Sequence, residues 1–217
     1  MPFDFSPYQF TLLQDEKFIW NMDPPHIQVL YELAMLPGLE TVVEIGSFRG
    51  ASTSAFIQAQ KNGAAFHLHV VEIKIRQQLR QVLAAMPSSR WTVYTEPIQN
   101  ITVPTPDLML IDGDHGTPAV VDTLAALCLG TRIIVMHDSQ THLAVTEKNH
   151  WGAHLAAKLL KQHPDRDWWE DSRPRPGMLT ERGLLVSWPR SMQGVRECLL
   201  VSSAEDISSN ASEVLAL

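Results

Sequence analysis

Apolar residues fall along this chain in short, dense runs separated by turn residues, and the runs alternate between two periods. Val42, Val43 and Ile45 make the first run, which carries an acidic residue, Glu44, and stops at Gly46. So continuous a run predicts a strand buried on both faces. Phe66–Ile73 predicts a second strand ending at Glu72, Trp91–Tyr94 a short third, Asp107–Asp112 a fourth and Thr131–Met136 a fifth. Between them the spacing turns helical. Ser52–Gln60 reads as a helix ended by Asn62-Gly63, a left-handed stop signal. Lys74–Met86 reads as an amphipathic helix with Ile75, Leu79, Val82 and Leu83 on one side, stopped by Pro87. Thr117 is placed to cap a helix that has Pro118 at its first position and stays apolar through Leu127. Trp151 opens a further helix bounded by Pro164, and Asp167–Asp171 and Gly183–Trp188 predict two strands forming a hairpin at one sheet edge.

Strands alternating with helices predict an α/β fold, a mostly parallel sheet with helices on both faces. Residues 1–37 form an N-terminal extension ending in the helix His26–Met35, residues 38–190 the domain proper, and residues 191–217 a Ser-punctuated tail given no structure. With 217 residues, 45% of them hydrophobic, the chain can bury one good core. Its net charge of −7 argues against a basic footprint for nucleic acid. Cys128 and Cys198 follow no pattern, which predicts a reducing compartment and no disulfide framework. No basic leader and no apolar run of about 20 residues is present, so the expectation is a cytoplasmic protein.

In an open parallel sheet, ligands sit outside the carboxyl ends of the strands. That rule selects Glu44, Gly46, Ser47 and Arg49 at the first strand, Glu72 at the second and Glu96 through Asn100 at the third. It selects Asp112, Gly113, Asp114 and His115 at the fourth and His137, Asp138 and Ser139 at the fifth. A dinucleotide site reads G-x-G-x-x-G because its second glycine admits a pyrophosphate. Here the spacing is Gly46-x-x-x-Gly50, and Phe48 stands where that second glycine belongs. A ligand without phosphate but with an ammonium group tolerates the bulk and welcomes Glu44; S-adenosylmethionine is such a ligand. Glu72 is placed to accept ribose hydroxyls. Glu44 should hold turn amides or the ligand ammonium, since a buried carboxylate without partners is costly.

Asp112, Asp114, His115, His137 and Asp138 form a second constellation. Carboxylates suit Mg²⁺, and a histidine shifts the preference to Mn²⁺ or Zn²⁺. Two other readings of these residues stand beside a metal. Asp114 or His115 would cap the next helix in a hydrogen-bonded turn, and the carboxylates would face a sulfonium directly. Asp23-Pro24-Pro25-His26 is accounted for as a helix N-cap with prolines in the first turn. Trp168 and Trp169 are expected in the sheet core, and His67 and His69 as structural or surface residues. His142, His150 and Trp151 flank a loop, Gln140–Asn149, that can reach over a substrate.

The segments VVEIGSFRGAST, VVEI, DLMLIDGDH and IIVMHDS, in that order over about residues 40–140, resemble class I S-adenosylmethionine-dependent methyltransferases. The likeness is nearest to small bacterial enzymes with an I-D-G-D-H segment, which are similar to metal-dependent sugar O-methyltransferases. The resemblance implies a Rossmann-like three-layer sandwich with a seven-stranded sheet and a reversed last strand. It implies cofactor contacts from Glu44, Gly46, Ser47, Arg49, Gly50, Glu72 and Asp112. It makes Asp112 and Asp138 metal ligands and Asp114 the general base, with His115 a second proton acceptor. The family's first aspartate after the fifth strand is His137 here, a different ligand. The implied reaction is methyl transfer to a small-molecule hydroxyl, with the N-terminal extension a candidate contact element for a homo-oligomer. A non-catalytic cofactor-binding protein of the same fold is the alternative. Phe48 argues against a dehydrogenase.

Overall fold

The computed structural model describes residues 3–11, 22–140, 151–172 and 182–199. Among the described residues, helices α1 (Pro24–Ala34), α2 (Ala51–Lys61), α3 (Gln77–Leu83), α4 (Thr117–Cys128) and α5 (Trp151–Gln162) accompany seven strands. These are β1 (Thr41–Ile45), β2 (His67–Val71), β3 (Trp91–Tyr94), β4 (Leu108–Ile111), β5 (Ile133–His137), β6 (Arg166–Asp171) and β7 (Leu184–Pro189). They form one sheet in the order β3-β2-β1-β4-β5-β7-β6. Only β7 is reversed: it runs antiparallel to both β5 and β6, inserted between them. The order reverses its direction of growth at β1, between β2 and β4, and in open sheets of this kind ligands bind at such a switch point.

Every residue of β1, β4 and β5 is buried, because helices cover both faces. Val42, Leu108, Leu110, Ile133 and Val135 pack toward α1, α2 and α3. Their neighbours Val43, Ile45, Met109, Ile111 and Ile134 pack toward α4 and α5. Each such side chain is worth roughly 1.5–3 kcal/mol on burial. The extension joins the first of these layers: Phe3, Tyr8, Ile27, Leu30 and Leu33 are buried there, as are Val195 and Leu199 from a helical segment at 195–199.

Local departures from the sequence reading have physical causes. α3 starts at Gln77 rather than Lys74, because the Lys74 amide donates to Glu72 Oε1 (3.0 Å) in a bend and Arg76 is extended. The N-cap of α4 is Gly116, with Thr117 the first helical residue; Asp114 Oδ1 accepts the Gly116 amide at 2.8 Å and sets that start. Trp169 packs against the core, whereas Trp168 is 47% exposed on edge strand β6, with the Lys161 ammonium 5.1 Å from its ring centre. His67 and His69 lie where no helix covers β2 and β3, since the β3–β4 connection holds only the 3₁₀ turn Ile98–Asn100. They are structural there: His67 Nε2 pairs with Thr92 Oγ1 (2.8 Å) and His69 Nδ1 with the Tyr94 hydroxyl (3.1 Å).

Candidate active site

The turn after β1 is built on backbone that only particular residues tolerate. Gly46 has φ +86°, and a Cβ there would stand 2.2 Å from the Asp112 carbonyl oxygen. The glycine therefore lets β1 and β4 stay paired as both strands end. Its amide donates to the Val71 carbonyl at 3.0 Å, joining the turn to the end of β2. Phe48 takes φ +47°, uncommon for a residue with a side chain. Its amide donates to Glu72 Oε2 at 2.7 Å, and its ring carries the Arg76 guanidinium 4.2 Å from its centre. Ser47 is buried, and its carbonyl accepts the Gly50 amide at 2.7 Å. Arg49 Nε is buried and makes no hydrogen bond among the described residues.

Glu44 lies beneath this turn with no solvent exposure. It accepts hydrogen bonds from the hydroxyls of Ser52 and Thr53, the latter at 2.7 Å, and so ties β1 to the first turn of α2. Burial pushes its pKa up to about 7 against the pull of those hydroxyls. Its partners in the structure are side-chain hydroxyls rather than turn amides. The run Ser52-Thr53-Ser54, which follows Gly50 after one intervening residue, is the signal in the sequence that could have found them.

At the ends of β4 and β5 the acidic groups converge. His115 Nε2 lies 3.0 Å from Asp138 Oδ2 and 3.6 Å from Asp112 Oδ1. His137 Nδ1 lies 3.0 Å from Asp112 Oδ1 and 3.5 Å from Asp138 Oδ1. Burial opposes a charge on His137, but the two carboxylates outweigh it and push its pKa up to about 10. For Asp112 and Asp138 burial likewise works against ionisation, and the His137 charge overcomes it and holds both below the usual carboxylate range. Asp138 is itself left-handed, at φ +55°. Asp114, by contrast, is exposed on the rim of the same turn.

Residues 43–139 match the family model described as a methyltransferase domain. The fold is shared with a cofactor-bound protein, Rv0187, from MTB: TM-score 0.66, 19% identity, 82% of this chain and 84% of that one covered. It is shared with an O-methyltransferase from Bacillus cereus in complex with SAH, at TM-score 0.63, 18% identity and coverages of 78% and 83%. The O-methyltransferase TomG from Streptomyces achromogenes, involved in tomaymycin synthesis and in complex with SAM, gives TM-score 0.61, 18% identity and coverages of 79% and 82%. Over residues 43–139 the chain is similar to a methyltransferase domain, and its fold is shared with O-methyltransferases. No curated protein matches it significantly.

The fold brings together most of the residues selected from the sequence. Glu72, Gly46, Ser47, Arg49 and Gly50 gather around the turn, and Asp112, His115, His137 and Asp138 around the ends of β4 and β5. One atom each from Asp112, His115 and Asp138 lies within 4.8 Å of the others, and Asp138 Oδ1 is buried with no hydrogen-bond partner among the described residues. Two carboxylates and an imidazole so placed fit a divalent cation. His137 stands behind Asp112 and is 2% exposed, so the cluster facing the open side contains His115. His142 and His150 lie outside the described residues; Trp151 opens α5 and is 45% exposed. Gly152 had no signal in the sequence. A Cβ on it would meet the Gly116 carbonyl oxygen at 1.7 Å, and the next amide, Ala153, donates to the His115 carbonyl at 3.0 Å. α5 is thereby seated on the turn that carries His115. No helix among the described residues is long and apolar enough to cross a membrane.

Proposed function

We propose that this protein moves the methyl group of S-adenosylmethionine to a hydroxyl of a small molecule, a sugar hydroxyl being the class implied by the I-D-G-D-H resemblance. The observation that carries the reading is the meeting of two groups at the ends of β2, β1, β4 and β5, which are consecutive in the sheet. One is the glycine turn closed by Glu72; the other is the cluster of Asp112, His115 and Asp138. Glu72 already accepts two backbone amides, which orients it toward the ribose hydroxyls. Gly46, Ser47, Arg49 and Gly50 wall the cofactor's amino-acid end, with Glu44 holding that wall rigid from below.

In the reaction the acceptor oxygen forms its bond to the methyl carbon as the carbon–sulfur bond breaks. The sulfonium leaves as a neutral thioether, and the hydroxyl proton must go to a base. Holding donor and acceptor about 3–3.5 Å apart can supply roughly 7–11 kcal/mol of the barrier reduction. We assign the proton to Asp114, which stands exposed on the rim of the cluster. Asp112, His115 and Asp138 would hold a divalent cation, with His137 steadying Asp112. Bound there, such an ion lowers the pKa of a nearby hydroxyl.

Calorimetric titration with S-adenosylmethionine and S-adenosylhomocysteine, with and without Mg²⁺ or Mn²⁺, tests the cofactor half. Micromolar binding of both is expected, and binding of neither under any metal condition overturns it. Asp114→Asn tests the proton transfer: product affinity should hold and turnover stop, and retained turnover removes Asp114 from the mechanism. Tight cofactor binding with no turnover on any acceptor would favour a non-catalytic role.

A further inference from the structure

The Asp23-Pro24-Pro25-His26 segment starts α1 as expected, with Asp23 at the N-cap and prolines in the first turn, but the Asp23 side chain is turned to another use. Asp23 occupies the N-cap position without making a side-chain cap bond. Its carboxylate instead lies 3.8 Å from His26 Nδ1, and the other ring nitrogen lies 3.9 Å from Asp171 Oδ2. All three residues are buried, and Asp171 is the last residue of β6. The ring of His26 meets that of His137 edge to face, centres 5.3 Å apart and planes at 80°. His137 puts Nδ1 on Asp112, while its Nε2 is buried without a hydrogen-bond partner among the described residues. One side of the His137 ring is therefore held by a charge-assisted bond and the other by packing alone. A ring with one polar anchor can still turn about Cα–Cβ, and aromatic edge-to-face contact is directional enough to stop it.

We propose that His26 is a positioning residue for the carboxylate cluster. It holds the His137 ring in the orientation that presents Nδ1 to Asp112, and so fixes where Asp112 points. The contacts to Asp23 and Asp171 in turn hold His26 between the start of α1 and the end of β6. The N-terminal segment thereby becomes a supporting part of the site, three layers back from the reacting atoms. The inference rests on the reading of Asp112 as a working group of the methyltransferase. Supporting residues behind metal-binding carboxylates and histidines commonly govern affinity by 10–100-fold, roughly the size of effect expected here.

The test compares wild type, His26→Ala and His26→Phe by two titrations. Mn²⁺ is followed by electron paramagnetic resonance of the free ion, and S-adenosylhomocysteine by calorimetry. His26→Ala should lose about tenfold or more in Mn²⁺ affinity with product affinity unchanged. His26→Phe, which keeps a flat ring against His137, should recover most of the loss. A role confined to stability would lower the melting temperature of both variants and leave Mn²⁺ affinity alone. Wild-type Mn²⁺ affinity in His26→Ala overturns the proposal. If the wild type binds product but no Mn²⁺, the metal reading fails separately, and the crystal structure of His26→Ala decides. Loss of the 3.0 Å contact between His137 and Asp112 upholds the positioning role, and its retention overturns it. Should His26→Ala not fold, His26→Asn, which keeps a polar group but no ring, carries the same expectations.

Discussion

Glu72 braces the turn, and the proposed function gives the same side chain a ligand to hold. Its two oxygens accept the amides of Phe48 and Lys74, which fixes the carboxylate without burying it. Hydrogen bonds to a charged group are worth roughly 1.5–3 kcal/mol each. Glu72→Ala should therefore weaken S-adenosylmethionine binding by about 10- to 100-fold or more, measured by calorimetry. Unchanged affinity would mean that the ribose is held elsewhere. That Glu72 lies beside the glycine turn was legible in the sequence because it ends the strand that follows that turn. Glu44 was legible as a buried acid, but its partners were not. Which groups satisfy a buried carboxylate depends on the path of the following helix, and here that path brings Ser52 and Thr53 beneath it.

At the scale of elements, two glycines decide how closely the pieces approach. A methyl group on Gly46 would collide with the Asp112 carbonyl, and one on Gly152 with the Gly116 carbonyl; neither obstacle is a side chain that can swing aside. Gly46→Ala should cost about 3 kcal/mol or more, read from the denaturant midpoint, and should also abolish cofactor binding because the turn and β4 must separate. A variant with the wild-type midpoint would show that the β1 and β4 ends can part freely. Gly46 stood out in the sequence because it closes an apolar run. Gly152 did not, because a glycine in a helix acquires meaning only from the turn that lies against it. The order of elements along the chain was readable from periodicity. Their ends were less so: α3 begins late because Glu72 captures the Lys74 amide, an interaction across a loop that helical spacing cannot register.

For the molecule as a whole, the buried acid at the centre gives stability a pH dependence. The folded pKa of Glu44 is raised from 4.5 to about 7, so folding favours its protonated form. Its contribution is fully present below about pH 4.5 and is lost as pH rises through about 7. The loss amounts to a few kcal/mol, at about 1.4 kcal/mol per pKa unit. Glu44→Gln should remove this slope. Relative to wild type, the variant's unfolding free energy should rise by about 3 kcal/mol between pH 4.5 and pH 8, measured by urea titration. Parallel pH profiles would show that Glu44 is ionised in the folded protein across that range. The sequence by itself determined the alternation of strands and helices, the glycine turn and the acids at the strand ends, because these depend on local spacing and on which residues a buried strand can hold. Tertiary structure decided that His115 and His137 both reach Asp138, that Asp114 stands at the rim, and that His26 of the N-terminal helix lies against His137. Such choices follow from how layers far apart in the chain pack across the sheet, and no local pattern encodes that distance.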